Sequence, residues 1–350
     1  MMHIYKSEVR ETPFRFREGD IVKTIANIFF DVKGLIHLQN KVIAFPRFIP
    51  EPKGNRIYGK YTYKKIYGLS ERFRFLEQNF PQYIVYDSVF DEKLCEVPLE
   101  DVKRHYQPVN RLRQLRHYER LDNLERDALI FLELLKNQAG IPWAKMGISG
   151  SLLVKLHTQS SDIDPIIYGI ENCRKAYETL KSLTQDAKSN IKRYAMKELQ
   201  KLYEFRVKDT RMNFEAFVHA ENRKVLQGKF RNRDYFMRFV KDWNEINESY
   251  GTVQYRNVGY ARIKAEIADD SEAIFTPCTY KLKNTKILDG TCAGLIEEIS
   301  SFRGRFCEQA RKGEKVVAQG KIENVIDKRQ NREYLRLLLG NRPSDYMVLA

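Results

Sequence analysis

Apolar and polar residues in the first third of the chain follow patterns that are typical of β-strands. Residues 20–31 and 41–49 are rich in Val, Ile and Phe, and residues 61–68 alternate aromatic or aliphatic with basic side chains. Apolar residues at helical spacing predict a helix over residues 69–79, which stops before Pro81. We therefore expect residues 1–107 to form a small β-rich or α+β module.

The middle of the chain carries the clearest helical pattern, over residues 112–140. Apolar side chains recur there at steps of three and four residues, at Leu121, Leu124, Ala128, Leu132 and Leu135. Gly140 and Pro142 follow in the order that commonly ends a helix. Residues 170–250 predict further helices.

Strand patterns return in the last third. Residues 261–268 alternate, so Ile263 would face the opposite side from Glu266. Residues 315–326 and 333–339 are also strand-like and are separated by a turn. These patterns predict an α+β chain with a central module at 108–284 and a C-terminal module at 285–350. We expect that last module to be a small β domain, with an oligonucleotide-binding (OB) type barrel as a reasonable model.

Composition excludes several classes of protein. The chain has 350 residues, of which 43% are hydrophobic, too many for a disordered chain. No apolar stretch reaches the roughly 18 to 20 residues of a membrane helix, and residues 1–14 do not resemble a secretory signal. The five cysteines are scattered without a C-x-x-C pair, so we expect reduced thiols in a cytoplasmic protein without a membrane partner.

Positive charge is in excess and is concentrated. Lys and Arg number 61 against 46 Asp and Glu, a formal net charge of +15, and residues 188–241 contain 15 basic residues against 6 acidic ones. Such a surface favours a polyanionic partner, with nucleic acid as the first choice. Candidate phosphate contacts are the basic residues Arg111, Arg113, Arg116 and Arg120, with Arg231 and Arg233 further along. The alternative for the first run is a solvated helix face.

Residues 147–169, GISGSLLVKLHTQSSDIDPIIYG, carry the candidate chemistry. In a strand, Asp162 and Asp164 point to the same side while Ile163 points into the core. Two such close carboxylates repel each other unless a cation lies between them, and Mg²⁺ suits them because it binds carboxylates together with phosphates. Upstream, Gly150 and Ser151 form a small turn at the start of a short helix, which predicts a phosphate cradle. Together these features indicate a site for a nucleoside triphosphate and metal.

This segment resembles the signature of the DNA polymerase β-like nucleotidyltransferase superfamily. That signature is a hydrophobic residue, a Gly-Ser pair, a spacer of about ten residues and then D-x-D followed by apolar residues, and it is matched by Gly150, Ser151, Asp162 and Asp164. The whole chain also resembles a group of archaeal predicted nucleotidyltransferases. Pro165 departs from the pattern, because the family usually has an aliphatic residue there and Pro cannot donate a ladder hydrogen bond.

The resemblance implies a nucleotidyltransferase-type α/β domain with a mixed sheet and a basic helical insertion at 108–284. It also implies a third carboxylate from a later strand. Glu266 is the first candidate, because it lies on the polar side of the alternating segment 261–268. Asp269, Asp270 and Glu272 follow closely, and one of them could serve instead. The alternative for the whole acidic group is a solvated turn.

The implied reaction is in-line transfer of NMP from an NTP to a hydroxyl. Mg²⁺ (or Mn²⁺) would be held by Asp162, Asp164 and the third acid, and Gly150, Ser151 and Lys155 would bind the nucleotide, ATP among the candidates. The most favoured acceptor is the end of a nucleic acid, RNA before DNA. The alternatives are an enzyme that modifies a protein or small molecule, and a degenerate module that only binds nucleic acid. The sequence does not specify the oligomeric state.

Overall fold

The computed structural model describes residues 15–290 and 294–350. Cys292 and the first fourteen residues of the predicted N-terminal module lie outside the described residues. Across the described ranges the chain is a sheet-rich α+β protein with several sheets and seven α-helices, which confirms the predicted class.

The N-terminal part is an eight-stranded sheet with one helix. Its elements are β1 (Ile21–Thr24), β2 (Phe29–Val32), β3 (Lys41–Pro50), β4 (Arg56–Tyr58), β5 (Tyr61–Lys65), α1 (Leu69–Asn79), β6 (Ile84–Asp87), β7 (Glu92–Pro98) and β8 (Val102–Tyr106). The main strand order is β4-β5-β3-β2-β1-β8, and β7 joins β3 to β6. The predicted helix over 69–79 is confirmed as α1, whose Leu76 is buried in the core of this sheet.

The central part contains most of the helices. Its elements are α2 (Pro108–His117), α3 (Asn123–Ala139), β9 (Met146–Ile148), α4 (Gly150–Leu153), β10 (Pro165–Tyr168), α5 (Ile170–Gln185), β11 (Ile191–Lys192), α6 (Met196–Arg206), α7 (Phe214–Glu221), β12 (Gln227–Phe230), β13 (Arg233–Phe236) and β14 (Arg238–Val240). Strand β10 lies between β14, which is parallel to it, and β9, which is antiparallel. A second small sheet has the order β11-β12-β13.

The helical pattern over 112–140 folds as two helices, α2 and α3, instead of one. Asp122 interrupts the pattern because it is the N-cap of α3 and accepts a hydrogen bond from the Glu125 N–H at 2.9 Å. Gly140 ends α3 at a φ of +66°, a conformation that glycine adopts readily. The apolar stripe between these caps is buried, as the spacing predicts.

The C-terminal part is a small closed barrel. Its strands are β15 (Val253–Asp269), β16 (Cys278–Asp289), β17 (Ile296–Ser301), β18 (Lys315–Asp327), β19 (Arg332–Leu339) and β20 (Tyr346–Leu349). The order β15-β16-β17-β19-β18 closes because β18 also pairs with β15, and β17 and β19 are parallel.

The barrel begins at Val253, so the predicted boundary between residues 284 and 285 falls inside β16 and divides one sheet. The physical reason is that the alternation over 261–268 belongs to a barrel strand, whose Ile263 and Ile267 are buried in the interior. The alternation predicts this strand and its buried side, but it does not predict which strands pair with it.

The N-terminal sheet packs against the central part at α4. Phe29, Phe48 and Tyr63 of the N-terminal sheet form one apolar cluster with Leu153 and Leu156. The Ser149 hydroxyl donates to the Gly19 carbonyl oxygen at 2.7 Å. This contact places one face of the N-terminal sheet beside the segment that leads from Gly150 to Asp164. Among the helices of the described residues, none combines the length and apolar character that a bilayer crossing requires.

Candidate active site

Three aspartates face the same side of two adjacent extended segments in the central part of the chain. The Ile163 N–H donates to the Asp234 carbonyl oxygen at 2.9 Å, and Ile163 and Tyr235 are paired in parallel register. Both of these side chains are buried. Because neighbouring residues of a strand point to opposite faces, Asp162, Asp164 and Asp234 all point away from that core.

That face opens into a cavity of about 1160 Å³, here called the cleft, which lies between the three parts of the chain. Its charged lining includes the three aspartates and arginines from every part, namely Arg47, Arg72, Arg238, Arg303, Arg305 and Arg336. The cleft is therefore where the acidic groups of the central part meet basic groups from all three parts.

Asp162 and Asp164 form a close carboxylate pair. Burial and the neighbouring Asp162 raise the pKa of Asp164 to about 7, although Lys65, Arg238 and Arg47 act in the opposite direction. Within the described residues, the Asp164 carboxylate accepts no hydrogen bond, and Asp162 has only a distant ion pair with Lys65 at 4.0 Å. Open carboxylate oxygens with mutual repulsion fit a divalent cation.

The N-terminal sheet supplies two of the cations nearest this pair, Lys65 and Arg47. The third is Arg238 on β14, which is held by Glu18 at 3.3 Å. Burial lowers the pKa of Arg238, but Glu18, Asp164 and Asp31 more than offset this and raise it. These basic side chains come from distant positions in the chain, so no local motif indicates them.

Gly150 lies directly against Asp164. Its φ is +62°, and a Cβ at this position would lie 1.8 Å from Asp164 Oδ2, so only glycine fits. The adjacent Ser151 hydroxyl is buried and has no hydrogen-bond partner in the described residues. The structure thus brings the Gly-Ser pair to the second aspartate, although α4 is only four residues long.

Pro165 is compatible with this arrangement. It is the first residue of β10, a position at which the missing N–H is tolerated. The ladder is maintained around it, since the Ser149 N–H donates to the Asp164 carbonyl oxygen at 2.8 Å. Lys155 does not line the cleft, and neither do Gly150 and Ser151. The Lys155 Nζ lies 3.3 Å from the Tyr118 hydroxyl on the outer surface.

Glu266, the expected third carboxylate, is not brought to the aspartate pair. It lies on the outer side of β15, where it forms an ion pair with Lys283 at 2.8 Å that lowers its pKa. Asp269 and Asp270 follow it at the end of the strand, and Asp269 accepts a hydrogen bond from the Ser271 hydroxyl. None of the three lines the cleft. The reason is that these three residues lie on or directly after a barrel strand. Glu272, the remaining candidate, does line the cleft, where it forms an ion pair with Lys241 at 2.5 Å.

Asp234 is the acidic residue that the sequence reasoning missed. It begins a short strand pattern, D-Y-F-M-R-F-V, within a region that was interpreted as helical. An alternation of buried Tyr235, Met237 and Phe239 was the available signal. The Asp234 side chain forms an ion pair with Lys229 at 2.9 Å and is half exposed to the cleft.

The predicted nucleic-acid contacts lie outside the cleft. Arg111 is buried, where it donates to the Leu152 carbonyl oxygen at 2.8 Å and pairs with Glu125. Arg113 and Arg116 are exposed on α2, with Arg116 above the Trp143 ring. Arg231 and Arg233 both form ion pairs with Asp127 of α3. Arg111 is thus a structural residue, whereas Arg113 and Arg116 match the solvated face that was the alternative.

Asp122, Glu125 and His157 form a compact acidic and histidine group on another surface. Asp122 and Glu125 are occupied by the capping box of α3, and Glu125 also pairs with Arg111. His157 Nε2 lies 2.6 Å from Asp122 Oδ2. These contacts explain the group as the N-terminal cap of a helix.

The chain belongs to the same family as an uncharacterized archaeal protein. It is 34% identical over 334 residues to the uncharacterized protein MJ1086 of Methanocaldococcus jannaschii, and the match covers 93% of this chain and 96% of that protein. No protein-family model and no solved structure matches the chain.

Proposed function

We propose that this chain is a metal-dependent nucleotidyltransferase of the DNA polymerase β-like type, which transfers NMP from an NTP to a hydroxyl acceptor. The observation that carries the proposal is the convergence of Asp162, Asp164 and Asp234 on one face of adjacent strands, with Gly150 against Asp164. The resemblance of residues 147–169 to the superfamily signature supports the same reaction.

Each residue has a role in this proposal. Asp162 and Asp164 would hold Mg²⁺ or Mn²⁺, and Asp234 takes the place of the third carboxylate. When bound, the metal would activate the attacking hydroxyl and neutralise the departing pyrophosphate. Lys65 and Arg238 lie beside the pair, where they can bind phosphate oxygens of the NTP. The acceptor is a nucleic acid, with RNA ahead of DNA.

The proposed reaction is balanced with the acceptor hydroxyl and the NTP as the two reactants. The acceptor oxygen forms a bond to the α-phosphorus of the NTP, the bond from that phosphorus to pyrophosphate breaks, and the hydroxyl proton passes to solvent. Neither an oxidant nor a reductant is required.

The test is a transfer screen with α-labelled NTPs, Mg²⁺ or Mn²⁺ and single-stranded RNA and DNA. We expect label on an oligonucleotide with the natural chain and none with Asp164→Asn. Label on a protein band would instead assign the enzyme to protein modification. If the folded chain transfers no label to any acceptor with either metal, the proposal is wrong.

A further inference from the structure

A row of arginines continues from the aspartate pair along the wall of the cleft. Arg47 lies beside Asp164 and shares Asp31 with Arg72, at distances of 3.5 and 3.7 Å. Arg303 lies next to Arg72 on the barrel side and shares Asp209 with Arg305, at 3.1 and 3.4 Å. These four arginines therefore share two aspartates as their ion-pair partners.

Arg72 is the least satisfied member of this row. It is only 8% exposed, yet its Nε has no hydrogen-bond partner in the described residues. Buried arginines are normally paired and fully hydrogen-bonded, because an unpaired buried charge is destabilising. Burial and the neighbouring Arg47 lower the pKa of Arg72 to about 10, while Asp31 acts in the opposite direction. A buried guanidinium with an unpartnered N–H is suited to bind an anion.

Two exposed aromatic rings lie beside the arginine row. Tyr67 and Phe205 are 41% and 48% exposed, line the cleft and contact each other with ring centroids 5.4 Å apart. The Arg47 guanidinium lies 4.6 Å from the Tyr67 ring centre. Exposed rings beside cations are the combination that binds single-stranded nucleic acid, since bases stack on rings while phosphates contact arginines.

We propose that this surface, Arg47, Arg72, Arg303 and Arg305 with Tyr67 and Phe205, binds the single-stranded nucleic-acid acceptor and directs its terminal hydroxyl toward Asp162 and Asp164. The assignment of this strand as the acceptor rests on the proposed nucleotidyl transfer. Lys65 and Arg238 lie beside Asp162 and Asp164 and are assigned to the triphosphate, so we assign the arginines beyond Arg47 to the acceptor. A polymer with repeated phosphates and bases matches a row of both groups.

The test measures binding separately from chemistry, in the full chain with the Asp164→Asn substitution, which we expect to transfer too slowly to interfere. Fluorescence anisotropy is recorded with labelled single-stranded RNA and DNA of about 12 nucleotides, at several salt concentrations. Arg72→Met, Arg305→Gln and Phe205→Ala are compared with Arg113→Gln and Tyr86→Ala, which alter an exposed arginine and an exposed aromatic outside the cleft. A fluorescent ATP analogue and inorganic tripolyphosphate are titrated in parallel.

We expect each cleft variant to weaken oligonucleotide binding by about tenfold, and each arginine variant to lower the salt slope by about one unit. The two control variants and the affinity for the ATP analogue should stay unchanged. Arg72→Met should retain or increase the melting temperature of the free protein, since it removes a poorly paired buried charge. A variant that merely failed to fold would lower that temperature.

Three results would overturn the inference. These are no oligonucleotide binding by the parent chain, equal losses in the control variants, or arginine variants that lose ATP-analogue or tripolyphosphate affinity but retain the oligonucleotide. The outcome is independent of the transfer screen. Arginine-dependent binding without any transfer would overturn the proposed function alone, whereas transfer without arginine-dependent binding would overturn this inference alone.

Discussion

The charged residues of the cleft and those of the outer faces differ in how they are paired. On the outer faces many charged side chains have a partner of their own, as Glu266 has Lys283 and Lys64 has Glu71. In the cleft, Asp164 accepts no hydrogen bond from the described residues, and Arg72 and Arg47 share Asp31. The candidate site is therefore distinguished by charged side chains that are incompletely paired, and not by the local density of charge along the chain.

The strongest test of this comparison replaces an aspartate with asparagine in the cleft and, separately, on an outer face. We expect Asp164→Asn or Asp162→Asn to reduce nucleotidyl transfer roughly 10³-fold, because each removes a negative charge from the proposed metal site. The matched control Asp270→Asn should transfer at the wild-type rate. Rates are measured with labelled NTP, and equal losses in both regions would contradict the comparison.

The outer arginines allow a test of stability. Arg111→Met should lower the free energy of unfolding by about 3 kcal/mol, because it leaves Glu125 buried without its partner. Arg113→Gln, on the exposed side of the same helix, should change it by less than about 0.5 kcal/mol. Urea denaturation measures both. If both variants have wild-type stability, the assignment of Arg111 as a structural residue is wrong.

Gly140 and Gly150 lie at helix ends, and Ala variants of the two distinguish the effect of backbone strain on stability from an effect on transfer. Gly150 and Gly140 have φ values of +62° and +66°, but only a Cβ at Gly150 meets Asp164. Gly140→Ala should lose about 1 kcal/mol of stability from the left-handed conformation, and Gly150→Ala should lose more because its Cβ also meets Asp164. Only Gly150→Ala should also reduce transfer, by about tenfold or more, through displacement of a metal ligand. Similar transfer rates for the two variants would exclude close contact at Gly150 as a requirement.

Metal addition is expected to have the smallest effect. Mn²⁺ or Mg²⁺ should raise the melting temperature of the natural chain by a few degrees, about 2–4 °C, because the cation binds the folded state alone. The increase should disappear in Asp164→Asn and persist in Asp122→Asn, which alters the other acidic group. Differential scanning fluorimetry with and without EDTA measures it, and a shift that requires Asp122 would relocate the metal.

Local sequence information predicted the parts of this fold that depend on local interactions. The helix α1, the apolar stripe of α3 and the buried side of β15 follow from spacing alone. The split between α2 and α3 was missed because the cap at Asp122 interrupts a continuous apolar pattern. The partners of β15 were missed for a different reason, since strand pairing is a long-range property that alternation does not encode.

The same distinction applies to the candidate site. The D-x-D spacing was sufficient to predict that Asp162 and Asp164 share a face, because the period of a strand is two residues. Asp234 reaches that face through a parallel bridge to a strand more than sixty residues away in the chain. Arg72 and Arg303 reach the cleft from different parts of the fold. No short motif can contain such a set.

The most direct measurement of the central claim is the transfer rate of Asp234→Asn beside that of Glu266→Gln. Both substitutions replace a carboxylate with its amide, one in the cleft and one on the outside of the barrel. We expect the transfer rate of Asp234→Asn to fall roughly as much as that of Asp164→Asn, while Glu266→Gln retains the wild-type rate. Wild-type transfer by Asp234→Asn together with loss in Glu266→Gln would contradict it.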